Sequence, residues 1–209
     1  QFLANIREVD AICHVLRCFE DENITHVEGK IDPIGDAETV ETELMLADME
    51  SLEKREIPLQ KRIRGGDKEA VRELKLCERA LELLKNGQPA RTLEVAEDDK
   101  KAFKMLQLLT GKPVLYICNV EEESAGEGNS QSARVFEKAA NEGAEAVVIS
   151  AKIEEEIAQL GSDEEKSEFL ETLGLEETGL SRVIQAGYKL LGLITFFTQG
   201  PKEVRAWTV

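Results

Sequence analysis

The residues most able to do chemistry lie in Pro113 to Glu122, PVLYICNVEE, where an apolar run meets Asn119 and the paired carboxylates Glu121 and Glu122 follow. An asparagine amide offers a donor and an acceptor, and a carboxylate offers acceptors, so at this spacing the two can meet the edge of a purine base. The same ten residues also fit a polar strand end that runs into an acidic loop. A second cluster is cationic. From Lys54 to Lys68, KREIPLQKRIRGGDK holds Lys54, Arg55, Lys61, Arg62, Arg64 and Lys68 against two acidic residues, a local charge of +4. Such a patch can reach nucleic-acid phosphates, or it can simply solubilise a helix.

The other reactive side chains point to no site. Cys13, Cys18, Cys77 and Cys118 show no C-x-x-C spacing, and three of them sit in or beside apolar runs, where a reduced thiol behaves as a small hydrophobe. His14 and His26 are the two histidines and have no Cys or His partner at metal-ligand spacing, which argues against zinc. No catalytic residue and no metal ligand is assigned. The net charge of −16 argues against nucleic acid lying on the whole surface, so the basic stretch matters more than the total.

The elements that must position these residues follow from periodicity. With 42% hydrophobic and 33% charged residues the chain can bury a core, and no apolar run approaches a membrane span, so a cytoplasmic monomer is expected. AICHVLRCF, PVLYICN and AEAVVIS read as strands covered on both faces, with SARVFEKAANEG a helix between the last two that ends on Gly143. Between the first and second strands, Met45, Met49, Leu52, Leu59 and Ile63 form one helical stripe and Val71, Leu74, Cys77, Leu81 and Leu84 another. A Gly65-Gly66 turn joins them, with Asp67 capping the second helix. Pro58 is expected to kink or end the first helix. DDKKAFKMLQLLTG reads as a third helix. Later helices are KIEEEIAQ, a segment capped by Ser162 and Glu165, and GLSRVIQAGYKLLGL, whose Val183, Ile184, Gly187, Leu190 and Leu191 can lie on a sheet. VRAWTV reads as a strand without a partner. The fold class is α/β with parallel strands, and both ends of the chain suggest a fragment.

Asn119-Val120-Glu121-Glu122 at one strand end and Ser150-Ala151-Lys152 at another resemble the fourth and fifth motifs of P-loop GTPases, with glutamate in place of the usual aspartate. The phrases FLANIREVDAICHVLRCFED, HVEGKIDPIGD, GGDKEA, LSRVIQAGY and KEVRAWTV together resemble the YchF family of Obg-like ATPases over essentially all 209 residues. The resemblance implies the rear half of a P-loop nucleotide-binding domain at 1–38 and 112–203, an inserted α-helical coiled-coil arm at 39–111, and the start of a TGS domain at 204–209. It implies a nucleotide site in which Asn119 holds the base or the neighbouring loop, Val120 meets the base, Glu122 tunes base choice, and Ser150 and Ala151 close the far side. It further implies hydrolysis of ATP and more weakly of GTP with Mg2+, whose ligands and phosphate cradle are expected upstream, and association with the ribosome or RNA through the basic residues of the arm. An adaptor that uses the arm without catalysis is the alternative reading.

Overall fold

The structure is a computed structural model that describes residues 2–21, 24, 30–201 and 203–209. His26 lies outside the described residues. The chain divides into two compact units, one of residues 1–12 and 35–113, the other of residues 13–34 and 114–209.

The first unit is helical. It holds α1 (Phe2–Glu8), most of α2 (Pro33–Arg64), α3 (Lys68–Lys85) and the short α4 (Lys100–Met105). Three basic residues, Lys61, Arg62 and Arg64, close α2 where its exposed carbonyls favour positive charge. Gly66, at φ +87°, makes the left-handed turn that a side chain would resist. Asp67 then starts α3 by accepting from Glu69 N at 2.9 Å and Ala70 N at 3.1 Å. Leu52 and Leu59 of α2 bury against Ala70, Leu76, Cys77, Ala80 and Leu84, flanked by Met45, Met49, Ile63, Leu74 and Leu81. The buried face of α3 is thus turned relative to the expected stripe: Val71 is exposed, and the small Ala70 and Ala80 take the contact.

One sequence expectation for this unit, a kink or an end at Pro58, is narrowed, and another, a long third helix, is corrected. Pro58 does not end α2, which continues to Arg64. Pro58 is exposed, so the carbonyl that loses its amide partner faces water, while Leu52 and Leu59 anchor the helix on both sides of it. The third helix is only six residues long, Lys100–Met105. Gln107 adopts φ +52°, and the following residues leave the helix to bury Leu108 and Leu109.

That departure is held by a buried carboxylate. Asp48, in the middle of α2, is 0% exposed and accepts from Leu109 N, Thr110 N and Thr110 Oγ1, each at 2.8 Å. Thr110 in turn receives Ala90 N on its hydroxyl at 3.1 Å and Arg91 N on its carbonyl at 2.9 Å. One carboxylate therefore organises three segments that form no regular ladder.

The second unit is built on a three-stranded sheet of order β1 (Ile12–Arg17), β2 (Val114–Asn119), β3 (Glu145–Ile149). Strands β2 and β3 pair in parallel, Leu115 opposite Glu145 through Asn119 opposite Ile149. The amide that opens β1 and the one just after the strand follow the same direction along β2: Ile12 N donates to Pro113 O at 3.0 Å and Cys18 N to Asn119 O at 2.8 Å. β2 is the middle strand, and its Val114 to Cys118 are all buried, as its unbroken apolar run requires. The crossover from β2 to β3 carries α5 (Ser130–Glu142), which ends on Gly143 at φ +66°. Beyond β3 come α6 (Ala151–Gln159), α7 (Asp163–Thr172) and α8 (Gly179–Leu191). The expected Ser162–Glu165 capping box is present.

Helix α8 covers one face of the sheet with Val183, Ala186 and Leu190, which pack on Leu115, Ile117, Val147 and Ile149. Ile184 and Leu191, expected on that face, are exposed. VRAWTV does have a partner: β5 (Val204–Thr208) pairs antiparallel with β4 (Thr195–Gln199), and Trp207 Nε1 donates to Thr198 Oγ1 at 2.8 Å. The apolar ITFF run directly after α8 hid the start of β4. Among the described residues no helix is long and apolar enough to cross a membrane.

Replacing Asp48 by Ala removes three buried hydrogen bonds and should cost roughly 2–4 kcal/mol, read from urea unfolding near neutral pH. Burial raises the Asp48 carboxyl above its usual range despite the bonds it accepts. A raised folded-state value means that the stabilisation is complete below the unfolded value and is lost as pH rises through the folded one. The gap between wild type and D48A should therefore widen on mild acidification. A gap under about 0.5 kcal/mol at every pH would contradict this account of the clasp.

Candidate functional site

Asn119, Val120, Ser150 and Ala151 meet at the carboxyl ends of β2 and β3, the edge of a parallel sheet where ligands of open α/β folds bind. The ladder persists to the last residue: Asn119 O accepts Cys18 N, and Val120 N donates to Ile149 O at 2.9 Å. Val120 is buried, so it packs the end of the sheet. The Asn119 side chain turns to the next strand end, and its Oδ1 accepts Ala151 N at 2.9 Å. Because that partner is an N–H, the amide oxygen must face it and Nδ2 must face away. Among the described residues nothing accepts from Nδ2.

Ser150 is the N-cap of α6, yet its hydroxyl does not cap. It is 2% exposed, and its Oγ has no hydrogen-bond partner among the described residues. A buried hydroxyl left in this way is costly unless something else meets it. Ala151 is exposed beside it. Glu154, one turn into α6, accepts from Gly179 N at 2.6 Å and Leu180 N at 3.1 Å and so joins α6 to the start of α8. Gly179 is required there, since an added Cβ would lie 2.9 Å from Ile149 Cγ2.

The carboxylates after β2 have separate duties. Glu121 accepts from Ser124 Oγ at 2.5 Å and from Asn129 Nδ2 at 3.2 and 3.0 Å on its two oxygens. Burial pushes the Glu121 carboxyl up, but the bonds from Ser124, its own amide and Asn129 more than offset this and hold it below the usual range. Asn129 also donates to Cys18 O at 2.5 Å, and its Oδ1 caps α5 by accepting Gln131 N and Ser132 N. Glu122 instead forms an ion pair with Lys152, whose hydrogen bond lowers the Glu122 carboxyl. The buried Cys18 and Cys118 thiols influence each other: interaction with Cys118 holds Cys18 below the usual thiol range, and interaction with Cys18, together with burial, pushes Cys118 above it.

The sequence reading missed Asn129 and Glu154 as parts of this arrangement, and it missed the partners that Glu121 and Lys152 find. Asn129 had a signal, since an N-cap asparagine with Ser132 three residues on forms a reciprocal capping pair. The Lys152 pairing had none, because it spans two strand ends far apart in sequence.

The six basic residues fall into two groups. Lys54 pairs with Glu50 at 2.5 Å, Arg55 donates to Leu106 O at 3.0 Å, and Arg62 pairs with Asp67 at 2.8 Å and Glu73 at 3.1 Å. Lys61, Arg64 and Lys68 are exposed around the Gly65-Gly66 turn, with no side-chain partner among the described residues. Also among the described residues, no group of three or more His, Cys, Asp or Glu side chains could hold a metal ion.

No protein-family model matches the chain. Among curated relatives, the ribosome-binding ATPase YchF of Bacillus subtilis is 51% identical over 210 residues, covering 100% of this chain and 57% of the relative. The ribosome-binding ATPase YchF of Haemophilus influenzae is 54% identical over 209 residues, with the same coverage of 100% and 57%. The solved structure of the Schizosaccharomyces pombe YchF GTPase superposes with a TM-score of 0.87 at 32% identity, covering 100% of this chain and 57% of that one. The chain thus spans little more than half the length of the relatives it matches. Its parallel α/β sheet is that of the rear half of a P-loop nucleotide-binding domain, and over all of its own length the chain belongs to the YchF family.

Proposed function

We propose that the full-length protein binds and hydrolyses ATP, with GTP a weaker substrate, and acts as a ribosome-associated regulatory ATPase in the cytoplasm. The relatives' names, ribosome-binding ATPase and GTPase, support the class. The observation that carries the base site is the bond from Ala151 N to Asn119 Oδ1, which leaves Nδ2 without a partner among the described residues, near the unpartnered Ser150 hydroxyl. A purine supplies what these groups lack, since its N7 accepts a hydrogen bond in both adenine and guanine. In this reading Asn119 contacts the base, Val120 and Ala151 bound it, Ser150 meets a polar atom at its far side, and Glu122 tunes the choice between bases.

Chemistry at the γ-phosphate rests on positioning and charge neutralisation. Magnesium is proposed as the counter-ion of the triphosphate, and no described residue is offered as its ligand. The layout follows the same reading: 1–38 and 112–203 form the nucleotide domain, 39–111 the inserted coiled-coil arm, and the β4–β5 hairpin, which contains 204–208, leads into a TGS domain.

Isothermal titration of the full-length protein with ATP and GTP tests the site. ATP should bind more tightly, and Asn119→Ala should weaken both nucleotides by about tenfold or more, since it removes a base contact and releases Ala151 N. A clear preference for GTP, or unchanged binding by N119A, would refute the reading.

The arm is proposed to dock on ribosomal RNA through Lys61, Arg64 and Lys68, the cations of the turn that acidic neighbours do not already neutralise. Arg62, held by Asp67 and Glu73, contributes less, as does Lys54, held by Glu50. Replacing Lys61, Arg64 and Lys68 together by Ala should weaken co-sedimentation with ribosomes and flatten its salt dependence by up to about three phosphate contacts. Equal co-sedimentation across a salt series would exclude the turn as the docking site.

A further inference from the structure

We propose that Lys152 is a specificity-determining residue: by holding Glu122 in an ion pair across the ends of the strands, it withholds from the bound base the carboxylate that would reward guanine. The inference rests on the base site proposed above and names how that site chooses between purines.

Guanine differs from adenine along the edge that bears N1. It presents two donors there, N1–H and the 2-amino group, and a free carboxylate is the acceptor suited to both. Three carboxylates, Glu121, Glu122 and Glu123, follow β2 closely enough to be considered. Glu121 is taken by Ser124 and Asn129, which bind its oxygens from within the loop. Of the other two, Glu123 is exposed and Glu122 is half-buried, so Glu122 is the candidate, and its oxygen is paired with Lys152 Nζ. The group left to meet the base is then the Asn119 amide, a donor that finds N7 on either purine. A site arranged in this way binds adenine without penalty and leaves guanine's N1–H and 2-amino donors without an acceptor.

Lys152 sits where such a restraint must be anchored. It follows Ala151, whose N–H holds Asn119, so the lysine backbone is fixed with respect to the amide that faces the base. It also lies in the first turn of α6, where the helix dipole disfavours a cation. Glu122 offsets that unfavourable placement, with Glu156 and Glu123 adding weaker attraction. The lysine and glutamate side chains are 65% and 36% exposed, so the pair can open. It therefore biases selectivity instead of fixing it absolutely.

The test uses the full-length protein and the dissociation constants of non-hydrolysable ATP and GTP analogues. Lys152→Met should tighten the GTP analogue and narrow the ATP-to-GTP ratio by about two- to fivefold, the range expected for release of one exposed ion pair. The inosine analogue, which lacks the 2-amino donor, should gain less than the guanosine analogue. In a Glu122→Gln background the effect of Lys152→Met should vanish, because no carboxylate remains to be released. An unchanged ratio in K152M, or an equal shift in the E122Q background, would overturn the role of Lys152. Asn119→Ala separates the two levels of the argument: if it weakens binding while K152M is silent, only the lysine inference falls, and if it leaves both nucleotides unaffected, the base site falls with it.

Discussion

The hydrogen bond from Ala151 N to Asn119 Oδ1 sets the orientation of everything at the strand ends. It crosses from the last residue of one parallel strand to the first residue of the helix that follows its neighbour, so it exists only while β2 and β3 keep their register. It also occupies the acceptor half of the amide and so leaves the donor half for another partner. With Asn119 in that role, the hydroxyl of Ser150 stays buried without its usual capping bond, and Lys152 is carried to within reach of Glu122. A polar side chain, a buried hydroxyl and an ion pair are thus fixed together by one amide.

The forces that hold each of the two units together differ. In the sheet unit, the buried face of β2 packs on α8, while the Glu154 carboxylate seats the start of that helix on α6. Apolar area does most of this work, and polar groups set direction. In the helical unit the balance is different, because the segment after α4 has little regular structure and depends on Asp48 for its backbone partners. That carboxylate is stabilised by its donors and penalised by burial, so its worth changes with pH while that of the apolar packing does not.

Much of this was legible in the residues. Strands buried on both faces leave unbroken apolar runs, and PVLYICN became β2 from Val114 to Asn119. Caps with local chemistry, Asp67, Gly143 and the Ser162–Glu165 pair, also appear where the sequence places them. What escaped depends on distant partners. Nothing local to Gln107 shows that Asp48, far away on α2, will draw Leu109 and Thr110 out of a helix. Nothing local to VRAWTV shows that Thr195 to Gln199 will pair with it, since ITFF reads equally well as the end of a buried helix. The candidate site divides in the same way: the motif residues were visible from their order, while the Glu122–Lys152 pairing and the double role of Asn129 required the fold.

The central claim is that the amide of Asn119, oriented by Ala151 N, faces a purine base. The most direct measurement is the NMR spectrum of the isotopically labelled full-length protein during addition of a non-hydrolysable ATP analogue. The account predicts that the Asn119 side-chain NH2 resonances and the Ala151 amide shift together and saturate with the same affinity as the bulk binding signal. Saturable binding of the analogue that leaves both resonances in place would contradict it.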